Sequence, residues 1–165
     1  MITGELVDRV RTRHPDLVVA RDEATVVVDR SELLDALREL RDDPELALDF
    51  LSSITATDWP GRDPRFWVSY ELSSIEHRHR LRVKVGLSEE DPHAPTVTGL
   101  FPTADWYERE TYDFYGIVFD GHPDLRRILL PDGWEGYPLR KTEELGGVDT
   151  RFKGAFMPPV DRRTT

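Results

Sequence analysis

Phe66–Leu87, FWVSYELSSIEHRHRLRVKVGL, is the stretch that decides the fold. Phe66, Val68, Tyr70 and Leu72 recur at every second position, and so do Leu81, Val83, Val85 and Leu87. A period of two places each set on one face of a half-buried strand. Glu76-His77-Arg78 makes the turn between them, so the pair reads as an antiparallel hairpin. On the second strand the opposite face carries Arg78, Arg80, Arg82 and Lys84, a basic stripe on a chain whose net charge is −10. This is either a solvated face paired across the strands with Glu71 or a docking surface for an acidic partner.

Working outward towards the N-terminus, Leu6, Val7 and Val10 have helical spacing within Glu5–Arg13, and Pro15 stops that helix. Leu17–Ala20 and Thr25–Asp29 are β-branched runs that suggest a small hairpin. Ser31 is the expected N-cap of a helix through Arg41, with Leu33, Leu34, Leu37 and Leu40 turned inward. A second helix is expected from Asp43 and Pro44, carrying a stripe of Ala47, Phe50, Leu51 and Ile54. Asp58–Pro64 is rich in turn formers, and Val97–Phe101 reads as another short strand.

Towards the C-terminus lies Glu108–Lys141, ERETYDFYGIVFDGHPDLRRILLPDGWEGYPLRK. Its first eight residues have helical spacing, with Tyr107, Thr111 and Phe114 on one stripe and Glu108, Tyr112 and Tyr115 on the next. Thr103 or Asp105 caps this helix, Gly116 suits a left-handed stop, and Ile117–Phe119 reads as a strand. From Gly121 to Thr165 there are 11 Gly and Pro in 45 residues, interleaved with Leu125, Ile128, Leu129, Leu130, Trp134, Tyr137 and Leu139. Large apolar groups at that density do not stay in water. The expectation is an α+β domain over residues 1–120, a small mixed or mostly antiparallel sheet with helices packed on it. Residues 121–165 then form an extended irregular arm that orders against another polypeptide.

The chemistry-bearing residues read as structural. Glu108 and Glu110 point about 200° apart on a helix, while Glu110 and Asp113 are neighbours at i, i+3 and need a cation between them. Arg109 can reach Asp113, and Arg126 or Arg127 can fold back onto the same acids, so the acids and arginines read as a lock between helix and arm. His122, between Gly121 and Pro123, invites a metal or general-base reading, but no second ligand stands at helical spacing, and a turn histidine bonding backbone accounts for it. The chain holds no phosphate loop, GxGxxG turn, GxSxG elbow or cysteine, so it offers no thiolate to an iron–sulfur cluster.

The ordered run Glu108-Arg109-Glu110, Tyr112-Asp113-Phe114-Tyr115-Gly116, Gly121-His122-Pro123-Asp124-Leu125-Arg126-Arg127-Ile128-Leu129 and Gly136-Tyr137-Pro138-Leu139-Arg140-Lys141 resembles the signature of one family. That family is the C-type, or 30-kDa, subunit of proton-pumping NADH:quinone oxidoreductase, respiratory complex I. Asp49–Asp58, His77–Val85 and Asp91-Pro92-His93 fall in a compatible order upstream, so the likeness covers about residues 15 to 145. One departure is Thr142, where the resemblance implies an acid straight after Arg140-Lys141; Glu143 and Glu144 follow it.

The resemblance implies a peripheral, cofactor-free subunit on the cytoplasmic side of the cell membrane. It would sit against the D-type subunit that forms much of the quinone pocket and the cluster-bearing B-type and I-type subunits, with FMN and iron–sulfur clusters carried by partners. It marks Glu108, Arg109, Glu110, Asp113, Tyr115, Gly116, His122, Pro123, Arg126, Arg127, Trp134, Tyr137, Pro138, Arg140 and Lys141 as its structural and partner-facing signature. The alternatives are the equivalent subunit of a related membrane-bound hydrogenase and a stand-alone hydrolase using His122.

Composition sets the bounds. The acidic balance disfavours nucleic acid and anionic lipid as main partners. No apolar run approaches the roughly 20 residues that span a bilayer, and no basic-then-apolar leader opens the chain, so membrane contact is expected only through the complex. Asn and Gln are absent and Arg dominates Lys, which fits thermal adaptation or a coding bias.

Overall fold

The computed structural model describes residues 4–131 and 133–143. The part of the expected arm beyond residue 143 lies outside the described residues. In chain order the elements are α1 (Gly4–Arg13), β1 (Val18–Ala20), β2 (Glu23–Val27), a 3-10 turn (Arg30–Glu32), α2 (Leu33–Asp42), β3 (Phe50–Asp58), β4 (Phe66–Ser74), β5 (His79–Leu87), β6 (His93–Pro95), α3 (Ala104–Tyr115) and β7 (Val118–Asp120). The main sheet runs β1-β2-β5-β4-β3, and β6 and β7 form a small second sheet. Among the described residues only the β2–β5 and β6–β7 pairs are parallel, so the architecture is mixed α+β.

The hairpin forms in the register its alternation dictates. Val68 faces Val85, Tyr70 faces Val83 and Leu72 faces Leu81. That face carries the buried side chains of the sheet, joined in one cluster by Leu6 and Val10 of α1, Leu33, Leu37 and Leu40 of α2, and Ala104 of α3. The opposite face is mostly half-buried. There Arg82 pairs with Glu71 and, at 2.9 Å, with Glu23, while Lys84 lies over the ring of Trp67.

Three sequence expectations fail. The helix expected over residues 43–54 is instead one turn followed by β3. Leu46 and Ala47 donate to the Asp43 carbonyl at 3.1 and 2.6 Å, but Ala47 then takes φ 42 and the chain extends. The misleading signal is a bulge: the pairing of β3 with β4 shifts between Leu51 and Ser53, so Leu51 and Ile54, three apart, both face the core. That spacing imitates a helix. Beyond it Ile54, Ala56 and Asp58 alternate inward as a strand requires.

Ser31 is not an N-cap, because the chain is already turning in the 3-10 segment and Glu32 occupies the cap position without a side-chain bond. Val97–Phe101 is a turn closed by Leu100 and Phe101 N–H groups on the Val97 carbonyl, and the strand lies just before it as β6.

Candidate functional site

The C-terminal end of α3 is where the signature residues meet. Gly116 ends the helix at φ 68, ψ 27, and its N–H returns to the Tyr112 carbonyl at 2.8 Å. A β-carbon there would also lie 2.5 Å from the Tyr137 ring, so glycine is required by conformation and by packing.

One turn back, Asp113 is fully buried. Its Oδ2 accepts the N–H groups of Ile128, Leu129 and Leu130 at 3.0, 2.8 and 3.0 Å. Its Oδ1 takes Arg127 Nη1 at 2.8 Å, and the same guanidinium donates to the carbonyls of Asp113 and Gly136. Burial pushes this carboxyl up, but the three backbone donors and Arg127 outweigh it and hold it below its ordinary range.

The arm then reaches the main sheet. Leu139 N–H bonds the Phe114 carbonyl at 3.2 Å, and Arg140 donates Nε to the Tyr115 carbonyl at 2.6 Å. The Arg140 guanidinium lies over Tyr137 and Phe66, 4.6 and 5.1 Å from the ring centres. Lys141 N–H reaches Asp58 Oδ2 at 2.7 Å. Asp58 is held at 2.7 and 3.0 Å by the buried Arg65 fork, which also bonds Glu89 and the Thr142 hydroxyl. Arg65 lowers the Asp58 carboxyl against the opposing effect of burial. Thr142 thus supplies an acceptor at the position where the resemblance implies an acid.

Sequence reading missed this second latch. Its one signal is an acid at an inward-facing position of β3, and that is hidden because Asp58 reads as the first residue of the turn-rich segment Asp58–Pro64.

Other residues stand elsewhere than expected. Arg109 does not reach Asp113; it lies over Trp106 and donates to the Arg126 carbonyl at 3.2 Å. Arg126 pairs with Asp124 at the surface. Glu110, Pro123 and Lys141 are exposed, and Tyr137 and Pro138 are half-buried.

Glu108 is fully buried but belongs to the other end of the helix, where it accepts Val97 N–H at 2.7 Å and the Thr96 hydroxyl at 2.5 Å. Burial, opposed by those two donors, pushes its carboxyl up to about 7. His122 is a turn histidine: Nδ1 accepts Asp124 N–H at 3.0 Å, and Nε2 faces the Asp105 carbonyl at 3.3 Å.

Around these latches Trp106, Leu129, Trp134 and Leu139 are exposed by 60, 57, 47 and 45%, which leaves an apolar outer surface on α3 and the arm. Among the described residues, no group of three or more His, Cys, Asp or Glu could hold a metal ion, and no helix is long and apolar enough to cross a membrane.

Residues 26–149 match the family model described as respiratory-chain NADH dehydrogenase, 30 Kd subunit. The chain belongs to this 30 Kd subunit family. It is 47% identical over 161 residues to the C-type subunit of NADH-quinone oxidoreductase from Salinispora arenicola, covering 97% of this chain and 63% of that protein. With the same subunit from Saccharopolyspora erythraea it shares 48% identity over 148 residues, covering 89% of this chain and 59% of the relative. The chain therefore spans about three fifths of these relatives' length.

Among solved structures of similar fold, a trypsin-resistant fragment (1-134) of Nqo5 superposes with TM-score 0.64 at 34% identity, over 72% of this chain and 98% of the fragment. A polypeptide of the membrane-bound sulfane sulfur reductase, an archaeal respiratory membrane complex, superposes with TM-score 0.71 at 27% identity, over 86% of this chain and 85% of that one.

Proposed function

We propose that this member of the 30 Kd subunit family is a cofactor-free structural subunit in the peripheral arm of a membrane-bound NADH:quinone oxidoreductase. The complex passes electrons from NADH through FMN and iron–sulfur clusters on other subunits to a quinone and couples this to proton translocation. The chain lies on the cytoplasmic side of the cell membrane and touches the membrane only through the complex. There it packs against the D-type, quinone-pocket subunit and the cluster-bearing B-type and I-type subunits.

The observation that carries this reading is how α3 and the arm divide their residues. Asp113, Asp58, Arg65, Arg127 and Arg140 are spent on fixing the arm's backbone, while Trp106, Leu129, Trp134 and Leu139 face outward. A fixed backbone presenting exposed aromatic and aliphatic anchors suits a large protein interface, since the ordering cost is met before the partner arrives. The signature residues act in this reading as the interface and its support rather than as catalytic groups.

A second reading, in which the electron donor and acceptor differ, is favoured by the likeness to the sulfane sulfur reductase polypeptide. Purification of the tagged chain from native membranes in mild detergent, with mass spectrometry and an NADH:quinone assay, separates the two. Co-purifying quinone-pocket and cluster-bearing proteins with NADH-dependent quinone reduction support the first. Hydrogenase-type or sulfur-reductase-type partners support the second, and a chain recovered alone overturns both.

A further inference from the structure

The N-terminal end of α3 holds a group of ionisable side chains that the interface reading does not use. Glu108, with no exposed surface, sits among Thr96 and Thr98 of the turn before the helix, Asp105 of the same helix, Tyr70 of β4 and His122 of the arm. His122 Nε2 is 3.9 Å from Glu108 Oε2 and 3.1 Å from Asp105 Oδ1, and its side chain is fully buried. Because Nδ1 accepts the Asp124 N–H, Nε2 is the ring nitrogen that faces Asp105 and Glu108. Among the described residues no guanidinium or ammonium pairs with Glu108, in contrast to Asp113 with Arg127.

Two polar atoms of the group are buried without a hydrogen bond. Tyr70 Oη has none, and Asp105 Oδ1, though near Nε2, is out of line for one. Burial and then the field of Glu108 push the Tyr70 phenol well up, so it stays protonated. A buried carboxyl thus lies beside a second carboxyl, an imidazole and a protonated phenol with, among the described residues, no guanidinium or ammonium paired to it, an arrangement that favours taking up a proton.

We propose that Glu108 is a proton-binding site, with Thr96 and Thr98 as its hydroxyl relay and His122 and Asp105 as the groups that set its affinity. Ionised Glu108 accepts from the Thr96 hydroxyl at 2.5 Å, and the Thr96 and Thr98 hydroxyl oxygens are 3.0 Å apart with either able to donate. When a proton arrives from solvent an O–H bond forms at Glu108 Oε2. It donates to Thr96 Oγ1, and the Thr96 hydroxyl turns to donate to Thr98 Oγ1. Both states keep every oxygen in place, and Val97 N–H stays bonded to Oε1 at 2.7 Å. Thr96 and Thr98 are partly exposed, so the relay opens to solvent while Glu108 does not.

The position also has a consequence for the arm. His122 is among its first residues and rests on Asp105 through the same Nε2 that faces Glu108. Proton occupancy at Glu108 therefore alters the charge against which the start of the arm is anchored.

The test is a carboxyl titration of the full chain by carbon NMR, with Glu and Asp side chains labelled, from about pH 4 to about pH 9. One glutamate midpoint is expected near 7. That resonance is absent in Glu108→Gln, and the Val97 amide shifts with the same midpoint. Thr96→Val, which removes a donor to the charged form, moves the midpoint up. His122→Asn moves it as well, because the ring faces the carboxyl. A chain in which no carboxyl titrates above about pH 5.5 overturns the proposal, as does a high midpoint that persists in Glu108→Gln. The wild-type titration needs no variant to fold, and it stands whether or not the chain is found in a complex.

Discussion

Glu108 and Asp113 lie on one helix, both fully buried, and their carboxyls are driven in opposite directions. The difference is in donors. Asp113 collects three backbone N–H groups and a guanidinium, enough to outweigh desolvation, whereas Glu108 has one N–H, one hydroxyl and, among the described residues, no cation. Burial alone therefore does not decide the state of an acid; what the surrounding backbone offers it does. One end of α3 holds a permanent charge that organises the arm, and the other holds a carboxyl that changes state at neutral pH.

The largest expected effect comes from removing the permanent charge. Asp113→Ala leaves the half-buried Arg127 without its carboxylate partner and strands three N–H groups, which should cost about 3–5 kcal/mol by denaturant unfolding. It should also abolish hydrogen-exchange protection at residues 128–130. Loss confined to stability, with those amides still protected, would mean that the arm holds its place without Asp113.

The second effect sharpens the contrast through pH. Glu108 is raised above its unfolded value of 4.5 to about 7. Its contribution is therefore fully present below pH 4.5 and is lost as pH rises through 7. The stability lost is at most about 3.5 kcal/mol. Asp113 and Asp58 are lowered, so their contributions are present above the ordinary Asp range and are lost as pH falls through their depressed values. Stability should peak in mildly acidic solution, and Glu108→Gln should flatten the neutral limb only.

Third, Gly116→Ala combines a left-handed backbone with a clash against the Tyr137 ring and should cost about 2 kcal/mol. Exchange should quicken at Leu139, whose N–H lies beside that contact. Smallest in stability is Trp134→Ala, within about 0.5 kcal/mol because the residue is 47% exposed. Its expected readout is weaker recovery of partner proteins in the pull-down, and unchanged recovery would remove Trp134 from the interface.

Much of this was legible in the chain. The hairpin's alternation fixed its register, and the helical spacing before Gly116 located the end of α3 because both signals are local. The β3 bulge was not legible, since a skipped residue at Ser52 gives two core positions helical spacing until the partner strand is seen. The Asp58–Lys141 latch joins residues 83 positions apart, and no pattern within either segment encodes it. The competition for Asp113 was only half readable: Arg109 stands closer in sequence, but its guanidinium lies over Trp106 and Arg127 wins.

The three N–H groups on Asp113 Oδ2 lie 15 to 17 residues downstream of it. During synthesis the helix is complete before its own aspartate has anything to bind, so the C-terminal turn of α3 must wait, hydrated, until residue 130 leaves the ribosome. A nascent chain stalled between Gly116 and Ile128 therefore lacks all three N–H donors to Asp113 Oδ2, a domain with a charged seam still open.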